Sequence, residues 1–154
     1  TIAEKFQRLP TLWDNYPVND GSQGCNFLNL KPLTDRSLQL GKEIQGHFCN
    51  PMNQPNLSRM PLASLAKLHR GENLETSAYI QVMVEYAGAD VGLQLAEDMA
   101  VFQEQGLATI SEKQLAAFKQ IYKQKHGDCA KEVMQWLNGE FAFDPRVSDR
   151  LNHG

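Results

Sequence analysis

The chain has 154 residues, of which 42% are hydrophobic and 21% charged, and its net charge is −3. A chain of this length buries roughly 68–70% of its unfolded surface and needs neither metal nor disulfides to hold a core. The small acidic excess disfavours a nucleic-acid partner, and no apolar run approaches the ~20 residues that span a bilayer, which excludes a membrane-crossing helix.

In chain order, Ile2, Phe6 and Leu9 recur at helical spacing and predict a short helix over 2–9. Residues 10–33 then gather Pro10, Pro17, Gly21, Gly24 and Pro32 with Asn15, Asn19, Asp20, Asn26 and Asn29 between them, a composition that favours turns. Trp13, Tyr16 and Phe27 are the expected anchors of this irregular segment on the rest of the molecule. From residue 34 the periodicity is helical. Thr34 or Asp35 caps a helix carrying Leu38, Leu40, Ile44 and Phe48, stopped before Pro51. After a loop over 49–57, Ser58 and Pro61 open a helix that Gly71 ends. Asn73 is the expected cap of a long stretch broken near Gly88 and Gly92 and stopped by Gly106. Ser111 and Gln114 fit a capping box for a helix bearing Leu115, Phe118 and Tyr122. Asp128 starts a further helix with Val133, Trp136 and Leu137 inward, and Asp144-Pro145 has the order of a cap and first helical residue. No strand-like alternation stands out. The expectation is an all-α fold: a compact bundle of six or seven helices in a single domain over 1–154, with the irregular Pro/Gly/Asn-rich segment 10–33 packed on a helical body 34–151.

Charge is segregated along this body. Between Gly71 and Glu112 there is no Lys or Arg, while Glu72, Glu75, Glu85, Asp90, Glu97, Asp98, Glu104 and Glu112 all fall there. Lys113, Lys119, Lys123, Lys125 and Lys131 follow, with Asp128 the one acid among them. Helices of opposite sign suit antiparallel pairing. The alternative is an acidic face for a basic partner protein, built from Glu72, Glu75, Asp90, Glu97, Asp98 and Glu104.

Chemistry-bearing residues are few. His47 with Cys49, and His126 with Cys129, offer four nitrogen and sulfur ligands for a structural zinc if the fold joins them; the bland account places both pairs at helix ends. Glu43 and His47 share a helix face at i, i+4, as a base pair or an ordinary surface pair. Glu85, within the apolar stretch "IQVMVEYAG", is a general-acid candidate if buried. Cys25 in "GSQGCNF" is a candidate thiol nucleophile, which needs a base in reach. Three cysteines make no disulfide framework, although Cys25 and Cys49 are the nearest pair. The phosphate-loop, dinucleotide, zincin and nucleophile-elbow motifs are all missing. No signal peptide is visible, and a start at Thr1 fits either a processed protein or a fragment, so the compartment stays open.

The sequence therefore points first to a non-enzymatic regulatory or adaptor domain that binds another protein through the acidic helices, without a cofactor. The runner-up is a small hydrolase of a glycan or peptide polymer working through Glu85 or Cys25. A zinc domain held by His47, Cys49, His126 and Cys129 comes third.

Overall fold

The computed structural model describes residues 2–72 and 74–146. Among these, eight α-helices and two short strands follow in the order α1 (Ile2–Phe6), β1 (Thr11–Asp14), α2 (Gly21–Gly24), α3 (Leu40–Glu43), β2 (Gly46–Cys49), α4 (Pro55–His69), α5 (Thr76–Ala87), α6 (Ala89–Ala100), α7 (Glu112–Lys123) and α8 (Asp128–Leu137). The fold is mostly helical. The expected Asn73 cap lies outside the described residues, as does the continuation of the turn that starts at Asp144-Pro145.

Helix ends follow local chemistry where that chemistry is local. Ser111 and Gln114 form the reciprocal capping box at α7. Gly88, at φ +81°, breaks α5 from α6, and the two helices fold back on each other. Their approach is close enough that Gly92 on α6 sits directly against the backbone of Met83 and Val84. Gly106, at φ +70°, ends a π-helical turn, Val101–Gln105, that extends α6.

The core lies among α4 to α8. Phe102 is its hub, with its ring 5.0 Å from Phe118, 5.1 Å from Trp136 and 5.9 Å from Tyr122. Asp90, Asp98 and Phe102 meet Lys125, Tyr122 and Phe118 in reverse order, so α6 and α7 run antiparallel. Glu132 of α8 is buried and caps α4 from a distance, accepting from Asn56 N at 3.0 Å, Asn56 Nδ2 at 2.6 Å and Leu57 N at 2.9 Å. That remote cap, with Pro55 at the first turn, starts α4 earlier than the expected Ser58.

Two expectations are corrected in the first third of the chain. The helix expected over 34–48 is replaced by the single turn of α3 and by β2. β2 pairs in parallel with β1, Thr11 opposite Gly46 and Trp13 opposite Phe48. The reason is visible in the residues that suggested the helix: Leu38 and Phe48 are exposed, so their spacing marks no buried stripe. The segment 10–33 likewise contains β1 and the short α2 rather than turns alone.

Candidate functional site

The most elaborate polar construction in the molecule surrounds the loop that leaves the carboxyl end of β1. Residues 14–20 read "DNYPVND", and their side chains divide sharply between inside and outside. Tyr16 donates its hydroxyl to Lys31 O, and burial pushes its pKa up to about 12. Gln103 Oε1, on the π-turn, accepts from Lys31 N at 2.7 Å, and its Nε2 reaches Tyr16 Oη. Asn29 Nδ2 donates to Pro17 O at 3.1 Å and Val18 O at 2.8 Å. The Tyr16–Pro17 peptide bond is cis.

Asn19, only 1% exposed, is the pin of the loop. Its Nδ2 donates to Phe27 O at 2.9 Å and to Gln54 Oε1 at 2.8 Å, and its Oδ1 accepts from Asn53 N at 2.9 Å. Buried polar groups satisfied in this way specify one backbone path. Asn15 and Asp20 remain exposed on that path. Trp13 Nε1 donates to Asn15 Oδ1 at 2.9 Å, which leaves the amide nitrogen of the exposed Asn15 available as a donor.

Beneath the strand end lies a second cluster. Period-two alternation puts Leu12, Asp14, His47 and Cys49 on one sheet face, and Trp13 and Phe48 on the other. Asp14 Oδ2 accepts from Arg36 NH2 at 3.0 Å and lies 3.5 Å from His47 Nε2. His47 Nδ1 is 3.1 Å from Nε2 of His69, the last residue of α4. Burial, and then the neighbouring His47, hold His69 below the ordinary histidine pKa, while burial and then Asp14 raise the Cys49 thiol. The opposite face is open: Trp13 is 71% and Phe48 62% exposed.

The residues singled out from the sequence fall elsewhere or do other work. Glu85 is exposed on α5, so the burial that would make it a general acid is missing. Cys25 is buried, with Sγ 3.7 Å from Ser22 O and its carbonyl accepting from Trp136 Nε1 at 3.1 Å. All three cysteines are free thiols, Cys25 and Cys49 included. Glu43 and His47 share no helix, since one lies on α3 and the other on β2.

The two His/Cys pairs are not joined either. His47 turns to His69, His126 is exposed in the turn before α8, and Cys129 is buried on α8, where burial raises its thiol to about 11. Among the described residues no group of three or more His, Cys, Asp or Glu side chains is arranged to hold a metal ion.

The acidic set is not one open face. Glu72 pairs with Arg70, Asp90 with Lys125 and Glu104 with Lys31. Asp98 is buried, accepting from Tyr122 Oη at 3.0 Å and Gln94 Nε2 at 3.1 Å, and burial raises its pKa. Glu75 and Glu97 stay exposed.

Residues 1–104 match the NAGidase family, beta-N-acetylglucosaminidase. The chain belongs to the beta-N-acetylglucosaminidase family. This membership overturns the expectation of a non-enzymatic adaptor or regulatory module. A mutant of the O-GlcNAc hydrolase of Thermobaculum terrenum has the same fold, with a TM-score of 0.62 and 24% identity. The match covers 89% of this chain and 36% of that one, so this NAGidase-family chain spans about a third of the length of the solved hydrolase. No curated protein matches the chain.

Sequence reasoning passed over Asn15 and Asp20. The available signal was the run of Asn and Asp directly after "TLWD", a four-residue alternation too short to be read as a strand.

Proposed function

We propose that the chain forms one wall of the substrate site of an enzyme that removes β-linked N-acetylglucosamine, with Asn15 and Asp20 as sugar-contacting residues. The observation that carries this reading is the loop after β1. Its inner residues Tyr16, Asn19 and the backbone at 17–18 are each tied down, and Asn15 and Asp20 are left facing out. Parallel sheets bind their ligands beyond the carboxyl ends of the strands, on loops held by a rigid scaffold. A free amide donor and a free carboxylate acceptor, fixed on one loop, suit the hydroxyl pattern of a sugar.

Glycoside cleavage generally takes a pair of carboxyl groups across the scissile bond. Asp14 is engaged by Arg36 on the helix-facing side of the sheet, so this chain's part in the reaction is binding rather than proton transfer. Two parallel strands with one face open are too small a sheet to stand alone. Further strands from the remainder of the enzyme cover Trp13 and Phe48 and bring the acid–base pair.

The test is hydrolysis of p-nitrophenyl N-acetyl-β-D-glucosaminide by the intact natural polypeptide. Losing one hydrogen bond to the sugar lowers kcat/KM by about 10- to 100-fold, matching about 1.5–3 kcal/mol for charged partners. Asn15→Ala and Asp20→Asn each show this loss, with an unchanged melting temperature because both residues are exposed. Wild-type rates in both variants would overturn the assignment.

A further inference from the structure

We propose that His47 and His69 are positioning residues: a two-histidine clasp that holds the carboxyl end of β1 in place with up to one added proton and opens with two. The functional consequence, though not the clasp itself, rests on the reading of the 15–20 loop as a sugar site.

The 3.1 Å contact between His47 Nδ1 and His69 Nε2 accommodates one proton between the two nitrogens. In the neutral pair each ring carries one N–H. If His47 directs its Nε2–H toward Asp14, its Nδ1 is an acceptor and His69 supplies the shared proton from Nε2. A first added proton makes one ring cationic and leaves an N–H···N bond between them. A second forces two N–H groups to face each other at hydrogen-bond distance, each on a charged ring, and the contact cannot survive.

The charges around the pair differ on its two sides. From β1 and the segment before α3, Asp14 and Asp35 are set against Arg36, a surplus of one negative charge. His47 Nε2 is buried 3.5 Å from Asp14 Oδ2, close enough to tighten into an ion pair when charged. From α3 come Lys42 and Glu43, both exposed and of opposite sign. From β2 comes Cys49, a thiol kept protonated by burial and Asp14. From the end of α4 and the turn after it come Lys67, Arg70 and Glu72, with one positive charge in excess on the His69 side.

The position of the clasp gives it consequence. His69 ends α4, which belongs to the packed helical body, and Gly41 of α3 lies tight against the His69 carbonyl. His47 is on β2, hydrogen-bonded to β1 along its length, and Asp14 is the residue directly before Asn15. Asp14 O also accepts from Asn50 N at 3.0 Å. Opening the clasp releases the strand pair from the helical body at the point where the sugar loop begins.

The experiment is hydrogen exchange read by mass spectrometry on the intact protein. Peptides spanning 11–14 and 46–49 are followed from about pH 7.5 to about pH 5, across the histidine range, after correction for the intrinsic pH dependence of exchange. Wild-type protection in these strands falls by about tenfold or more on acidification, one pKa unit corresponding to a factor of ten. Peptides of α5 and α6 stay protected. In His69→Gln an uncharged amide still donates to His47 Nδ1, and the strand protection becomes flat with pH.

Strand protection that is unchanged with pH in the wild type, or that falls equally in His69→Gln, overturns the clasp. Because the wild-type measurement needs no variant, a poorly folding His69→Gln leaves the test intact. If the protein also hydrolyses the nitrophenyl glycoside, KM rises on acidification in the wild type and not in His69→Gln. An absence of hydrolysis counts against the sugar-site reading alone, since exchange reports the clasp independently.

Discussion

The strand-bearing part of the molecule, residues 2–50, and the helical body, residues 55–137, are stabilised by different means. Six of the large hydrophobic side chains left exposed lie in the first part: Ile2, Phe6, Leu9, Trp13, Leu38 and Phe48. The helical body exposes Leu93 and buries Phe102, Tyr122, Val133 and Trp136 almost completely. Leu28 and Leu30 anchor the first part in the core, but its loop is held by polar contacts: Asn19, Asn29 and Tyr16 bond to the first part's own backbone carbonyls, and Gln103 joins it to the body at Lys31 N. A region that spends its polar side chains on shape and leaves Phe6, Trp13 and Phe48 in solvent suits the reading that further strands cover it. The body, with a closed aromatic core, is built to support it.

The two tryptophans offer the most direct way to break this comparison, and the larger effect belongs to the body. Trp136 is 1% exposed, packed on Phe102 and bonded to Cys25 O. Trp136→Ala is expected to cost about 3–5 kcal/mol, read from chemical denaturation. It should also loosen the 25–28 segment, which is bonded to the same core through Leu28 N and Phe102 O. A loss below about 1 kcal/mol would show that the body is not the self-sufficient half. Gly92→Ala comes next. An added Cβ would sit 2.7 Å from Met83 C and O and from Val84 Cα, all backbone atoms that no rotamer change can move. Overpacking of this kind costs about 1–3 kcal/mol. The same substitution at Gly46, whose nearest neighbour is a Thr11 methyl at 3.7 Å, should be close to neutral.

The division also decides what could be read from the sequence. In the body, the signals are local: the Ser111–Gln114 box and the glycines at 88 and 106 act within one turn, and each ends or starts a helix as read. In the first part the deciding contacts are remote. β1 and β2 are four residues each and pair across a 31-residue connection, and no local pattern encodes that register. Glu132 capping α4 from 76 positions away is equally silent in sequence. The site suffered twice. Asn15 and Asp20 were visible only as turn formers, and His69, the partner of His47, carried no motif at all. Of the three expected anchors of segment 10–33, Tyr16 and Phe27 are at least half-buried, whereas Trp13 points into solvent because it faces the open side of the sheet.

A smaller effect tests how the body tolerates a buried charge. The Asp98 carboxyl is raised by burial, an effect that the hydrogen bonds from Tyr122 and Gln94 partly offset. A group whose folded pKa exceeds its unfolded value favours folding when protonated. Its contribution is therefore present below the unfolded aspartate value and is lost as pH rises through the folded one. The stability of the wild type relative to Asp98→Asn should grow as pH falls through that window. Paired melting curves across the acid range check the sign, and a difference that shrinks on acidification would mean that the hydrogen bonds outweigh burial.

The smallest expected change in stability is at Trp13, and it sharpens the comparison most. Trp13→Phe removes an exposed indole and should alter folding stability by no more than about 0.5 kcal/mol. It also removes the Nε1–H that orients the Asn15 amide at 2.9 Å. If the first region is the sugar-facing one, KM for the nitrophenyl glycoside rises several-fold while the melting temperature holds. Fluorescence quenching adds a direct reading, because the chain has two tryptophans in opposite environments. Acrylamide should quench the emission of this 154-residue chain in two components, and Trp13→Phe should delete the accessible one. If, as proposed, further strands cover the open face in the natural polypeptide, the accessible component of Trp13 should be lost there without any substitution. Trp13 remaining fully quenchable there would mean that nothing packs on the sheet.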